Sequence, residues 1–191
     1  MKRIRIFLSA IALVWAGTLA GQNRALLIID IQDFYFPGGA VPLENVEAAA
    51  ESADRLLQYF RTGGEQVVHV RHNFEPGGGI YTLLKPEKSE PVITKEHVNA
   101  FLDTGLDSLM RAHKISELVI CGMQTHMCLE AAARAAADLG YQCTVVADAC
   151  ATRDLTWNDR VVPAELVHLS TLATLRSYVT VVSLAEFLKQ D

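Results

Sequence analysis

Along the chain, short uninterrupted apolar runs alternate with longer stretches whose apolar residues recur every three to four positions. The runs are ALLIIDI (25–31), QVVHVR (66–71), PVITK (91–95), ELVIC (117–121), QCTVVAD (142–148) and VTVVSL (179–184). Between them lie amphipathic segments near 43–61, ending at Gly63-Gly64, near 104–113, from residue 125 onward, and near 163–177. Strands that are apolar at consecutive positions are buried on both faces, as in a parallel sheet covered by helices. The expected architecture is therefore one α/β domain with three layers, α/β/α, and a Rossmann-like six-stranded parallel sheet. Two stretches lack any period: 72–90, with Pro76-Gly77-Gly78-Gly79, and 149–162, with Trp157-Asn158-Asp159-Arg160. Irregular segments of that length in a compact domain are usually functional covers or mobile surface.

The first twenty residues stand apart from this pattern. Lys2, Arg3 and Arg5 make a basic start, Ile6 to Ala16 is almost wholly apolar, and Thr18-Leu19-Ala20 offers small residues before Gly21. That reads as a signal peptide over 1–20 preceding a domain over 21–191. About 15 apolar residues is short for crossing about 30 Å of hydrocarbon, so cleavage and export, to a bacterial periplasm and with no stable membrane anchor afterwards, is the expectation. Without Lys2, Arg3 and Arg5 the 17 basic residues fall to 14 against 22 acidic ones, a net charge of −8. Phosphate binding relies on clustered Lys and Arg, so no nucleic-acid partner is expected. With 191 residues, half of them hydrophobic, the chain has ample material for one packed core and does not need disulfide staples.

In open α/β sheets, ligands bind beyond the carboxyl ends of the strands. That rule assembles a rim from the sequence. Asp30 ends the first strand, Arg71-His72 the second and Lys95 the third, and CGMQTHMC (121–128) follows the fourth.

Four roles compete for Cys128. Zinc would need a paired-ligand spacing that Cys121, His126 and Cys128 do not make, and no fourth ligand stands out. A redox dithiol would show Cys-x-x-Cys, which is absent. Core filling suits Cys121, Cys143 and Cys150, since free cysteine is among the most buried residue types. Cys128 differs because it falls at the start of a helix, where unpaired N–H groups and the macrodipole favour a thiolate. A fall of about two units from an ordinary thiol value of about 8.5 would make the thiolate the major form, and Lys95 could supply part of it. Asp30 could take the thiol proton. A strand-end Asp also caps turns, and a Lys before Glu96-His97 also serves as a solvated charge. Phe34, Tyr35, His72, Tyr81 and Trp157 lie on segments near the rim, where they could line a substrate pocket or simply pack the loops.

LLIIDIQDFY with Asp30, VITKEHVNAF with Lys95, CGMQTHMC with Cys128 and DLGYQCTVVADACATRDL occur in this order on successive strand ends. From about Arg24 to Leu188 the chain resembles the isochorismatase-like cysteine hydrolases, which include nicotinamidases and carbamoyl-amide hydrolases. The resemblance implies an Asp-Lys-Cys triad on Asp30, Lys95 and Cys128. It also implies a cis peptide between Met123 and Gln124, with the oxyanion held by the backbone N–H groups of Gln124 and Cys128. Nicotinamidases of the family bind a metal through Asp-x-His and further histidines. The corresponding stretch here is RHNFEPGGG, so neither a metal nor another cofactor is expected.

The implied activity is cleavage of a C–N bond in a small amide, ureido or carbamoyl substrate through a thioester, by a homo-oligomer. Two alternatives stay open. One is isochorismatase-type vinyl-ether hydrolysis, for which the cysteine is dispensable; the other is a catalytically silent binding or assembly protein that keeps the fold.

Overall fold

A computed structural model describes residues 23–189. The expected signal peptide lies outside these residues. Six parallel strands form the main sheet: β1 (Arg24–Ile29), β2 (Gln66–His72), β3 (Val92–Lys95), β4 (Glu117–Met123), β5 (Gln142–Ala151) and, numbered β8 because a hairpin intervenes, Thr180–Val182. The sheet order is β3-β2-β1-β4-β5-β8. The chain steps outward from β1 through β2 to β3, then returns to pair β4 with the free edge of β1. The reversal of direction lies between β1 and β4, so a crevice opens at their carboxyl ends.

The continuous apolar runs are explained by the two packed faces. Leu26 and Ile28 of β1 point into one core cluster with Val119 and Cys121 of β4, while Ala25, Leu27 and Ile29 point into the other. The first face is covered by α1 (Val46–Gly63) and the short α5 (Leu184–Phe187), and the second by α2 (Leu106–Ala112), α3 (Glu130–Asp138) and α4 (Ala164–Leu175). Helix α1 buries Val46, Ala49, Ala50, Ala53, Leu56, Leu57 and Phe60, a spacing that places every one of them on the same stripe. It stops at Gly64, whose φ of +66° is a left-handed cap that a Cβ would disfavour.

Three features differ from the sequence expectation. β5 runs three residues past Asp148, crossing a register shift opposite Ile120 and Gly122, so apolar period alone ended it too soon. The stretch read as irregular contains a hairpin, β6 (Leu155–Trp157) and β7 (Arg160–Val162), antiparallel to each other and separate from the main sheet. Its turn residues Asn158 and Asp159 have φ of 47° and 59°, the left-handed geometry that hairpin turns require. Finally, α5 begins at a Ser183/Glu186 capping box that is too short to give a periodic signal.

Candidate active site

Each chemical group arrives at the crevice for a local reason. β1 ends as Asp30 turns into φ 49°, and its N–H bonds the carbonyl of Val70 on β2 at 2.9 Å. Lys95 is the last residue of β3 and is in register with His72, the last residue of β2. Cys128 lies in a five-residue π-helical turn, Thr125–Leu129, that joins β4 to α3. Wide turns of this kind are frequent at functional sites. Ahead of it, the Met123–Gln124 peptide is cis.

These elements bring Asp30, Lys95 and Cys128 together. The Lys95 Nζ is 2.7 Å from Asp30 Oδ2 and 3.2 Å from Cys128 Sγ. The three side chains are 0%, 1% and 5% exposed, so the cluster is sealed by protein rather than bathed in water. The ammonium also meets the carbonyl of His97 and Nδ1 of His72, each at 3.1 Å. Asp30 Oδ1 accepts no well-directed hydrogen bond among the described residues and is open to a proton.

Electrostatics correct one expectation. The start of a helix suggested a lowered thiol pKa, yet burial and the Asp30 carboxylate together push Cys128 up to about 12 against the opposing pull of Lys95. Desolvation outweighs the nearby cation here because the sulfur is enclosed. Burial also raises Asp30, while Lys95 lowers it. Enclosure thus pushes both acid and thiol toward their protonated forms, and Lys95 opposes it at each. Cys121, Cys128, Cys143 and Cys150 are all buried and unbridged in the structure.

The five aromatic and imidazole positions divide. Tyr35 is buried, and its hydroxyl accepts a long 3.4 Å hydrogen bond from Gln124 Nε2, next to the triad. His72 faces Lys95 directly. Phe34 is a packing residue against Tyr35 and Phe74, and Tyr81 stacks on Phe36 at 3.5 Å between ring centres. Trp157 is 76% exposed on the β6–β7 hairpin. A cavity of about 470 Å³ lies to one side, lined by residues of α1, β5 and α4 that include Asp148, Thr152 and His168. It is coupled to the cysteine turn through Thr125–His168 (3.0 Å) and His126–Thr152 (2.6 Å).

Two groups had no distinct sequence signal. Arg153 donates to Gln124 Oε1 at 3.2 Å, which places a cation beside the residue that follows the cis bond. Gln32, two residues beyond Asp30, clamps the neighbouring strand end. Its amide donates to the carbonyls of His72 (2.9 Å) and Gly78 (2.8 Å) and accepts from the His72 N–H (2.7 Å). A polar residue in an apolar context was the available clue for Gln32. Nothing about its partner could be read from spacing.

The isochorismatase domain family matches residues 24–176. The chain is 44% identical to the uncharacterized isochorismatase family protein YddQ of Bacillus subtilis (strain 168) over 180 residues, covering 88% of this chain and all of that one. It is 28% identical over 166 residues to maleamate amidohydrolase of Pseudomonas putida, covering 73% and 78% respectively. Among solved structures, an isochorismatase from Pseudomonas putida KT2440 superposes with a TM-score of 0.83 at 33% identity, covering 86% of this chain and 90% of the other. The chain belongs to the isochorismatase family, whose members are hydrolases, some of them acting on amides.

Proposed function

We propose that this protein is a cysteine-dependent hydrolase that cleaves the C–N bond of a small amide, ureido or carbamoyl compound. The observation that carries the reading is the Lys95 ammonium set between the Asp30 carboxylate and the Cys128 thiol in a site closed to water. Similarity to a maleamate amidohydrolase supports the same bond type.

In this mechanism Asp30 takes the Cys128 proton as the sulfur attacks the carbonyl carbon, so S–H and C=O π bonds break while O–H and C–S bonds form. Negative charge moves to the carbonyl oxygen, where the N–H groups of Gln124 and Cys128 are the proposed donors. Losing one such donor typically costs about 10²–10³ in rate. Asp30 then protonates the departing nitrogen and the C–N bond breaks. A water deprotonated by Asp30 adds to the thioester, the C–S bond breaks as Asp30 returns that proton to sulfur, and the acid leaves. A thiol with a pKa of about 12 cannot attack unaided near neutrality, so an adjacent base is a requirement of this chemistry.

The test is ammonia release over a set of small amides, ureides and carbamoyl acids, run beside pyruvate release from isochorismate. Ammonia release, an acyl adduct on Cys128 by intact mass, and a fall of at least about 10³ in kcat for Cys128→Ala are expected. Near-wild-type hydrolysis by C128A, or pyruvate release alone, removes the nucleophile. An exposed apolar face made by Leu166 and Leu169 of α4 supports assembly of the enzyme as a homo-oligomer, which sedimentation at micromolar concentration tests.

A further inference from the structure

Four polar groups surround the Lys95 ammonium: its three N–H bonds are directed at His97 O (3.1 Å), His72 Nδ1 (3.1 Å) and Cys128 Sγ (3.2 Å), while Asp30 Oδ2, 2.7 Å away, is an ion-pair partner outside hydrogen-bond geometry. Not all can be served at once. Two of the four are held by the fold. His97 O is backbone, and the His72 backbone is fixed on both sides by the Gln32 amide, at 2.7 Å and 2.9 Å. The other two, carboxylate and sulfur, are the groups that exchange a proton in the proposed reaction.

We propose that His72 is a positioning residue for Lys95: its neutral imidazole, accepting through Nδ1, pins the ammonium together with His97 O, so that the third N–H stays directed at Cys128 as the thiol proton passes to Asp30. This rests on Lys95 and Cys128 acting as proposed above. The exchange balances. The S–H bond breaks, an O–H bond forms on Asp30, and the Lys95 hydrogen bond already on sulfur meets the negative charge that develops there, without any proton leaving the nitrogen. An ammonium lacking the His72 anchor could turn to Asp30, leaving the nascent thiolate unaccompanied in a dry site, where an uncompensated charge is most costly.

The arrangement requires one tautomer. Nδ1 must be bare and Nε2 must carry the hydrogen. Protonation of His72 would turn the acceptor into a donor and set two cations against each other. The charged and titratable groups around the ring are Lys95, Asp30, Glu96 and His97, with Arg71 preceding it in the chain. Burial and Lys95 lower the imidazole's affinity for a proton, against the pull of Asp30 and Glu96. The site should therefore fail only below the ordinary imidazole value of 6.5.

Two measurements test this. Long-range proton–nitrogen spectra of the imidazole at pH 7.5 should show His72 as the Nε2–H tautomer, and a Nδ1–H tautomer or an imidazolium overturns the proposal. The second is the rate of Cys128 alkylation by iodoacetamide, followed by peptide mass from pH 5 to 9 in wild type, His72→Asn and His72→Phe. Asn can present an acceptor near the Nδ1 position and does not titrate. H72F should be slowed at least tenfold throughout. H72N should stay within about threefold of wild type at pH 7.5 while losing the acid limb. A wild-type rate and unchanged pH profile in H72F would sink the idea. Lack of any hydrolysis by the wild type would count against the proposed function and leave the tautomer and alkylation results standing on their own.

Discussion

Cys128 shows how a residue's neighbours override its place in the chain. The start of a helix favours a thiolate, but enclosure and the Asp30 charge raise the thiol to about 12. The difference in ultraviolet thiolate absorbance between wild type and C128A should thus be near zero up to about pH 9 and grow only above it; a step near neutrality would show a resident thiolate. Gly122 has a different constraint. Its φ is +127°, and a Cβ there would sit 2.0 Å from the carbonyl oxygen of Ile29, because β1 and β4 press together just ahead of the cysteine turn. The three nearest atoms, Ile29 O, C and N, are all backbone and cannot move aside. Gly122→Ala is expected to destabilise by about 4 kcal/mol or to prevent folding, at the extreme of single-substitution effects. An unchanged urea midpoint would contradict the close approach.

At the scale of elements, the strand ends matter more than the strands. Gln32, fully buried, joins the chain after β1 to the end of β2 and to the 74–80 segment through Gly78. The same segment is also stitched by Asp33 N–H to Gly79 O and Phe34 N–H to Gly77 O, both 3.0 Å. Gln32→Ala leaves the half-buried His72 N–H and two carbonyls without this partner. A loss of about 2–3 kcal/mol follows from the cost of unsatisfied polar groups. Turnover should fall further than stability explains, because the clamp also fixes the His72–Lys95 pair. Denaturant midpoint and kcat, measured together below the unfolding transition, check this; equal kcat in both proteins would mean that the clamp serves stability alone.

For the whole molecule, pH limits stability on both sides through buried titratable groups. His69 of β2, Arg61 of α1 and Glu90 before β3 meet in one network, with Glu90 2.7 Å from Arg61 and 2.9 Å from His69. Burial opposes ionisation of Glu90, but the Arg61 hydrogen bond, the Glu87 N–H and His69 outweigh it and hold the carboxyl at about 2. Its folded value lies below its ordinary 4.5, so the stabilisation is present above about pH 4.5 and is lost as pH falls toward 2. The thiols act in the opposite sense. Cys128, Cys143 and Cys150 are each raised to about 12 by burial, so the folded state holds these protons more tightly and loses stability as pH rises above 9. The urea midpoint should fall below about pH 6.5, where His69, His72, His126 and His168, all lowered by burial, resist the protons they take up on unfolding, and again above about pH 9. The fall below about pH 4.5 should be shallower in Glu90→Gln, and an acid limb identical in E90Q would remove the network from the explanation.

The chain by itself determined the kind and order of the strands, because burial on both faces leaves a local, one-dimensional record in runs such as ALLIIDI and ELVIC. It also determined which acid, amine and thiol stand at strand ends, since the rule for open sheets depends only on where strands stop. The hairpin at 155–162 left no such record: its strands are exposed and three residues long, below what alternation can register. Only the tertiary structure decided that Lys95 meets both Asp30 and Cys128, that Trp157 is largely exposed, and that His72 faces the lysine. The direction of the Cys128 shift was decided there too. Periodicity reports on neighbours three or four residues away, whereas distance, enclosure and charge act through space between residues 30, 95 and 128.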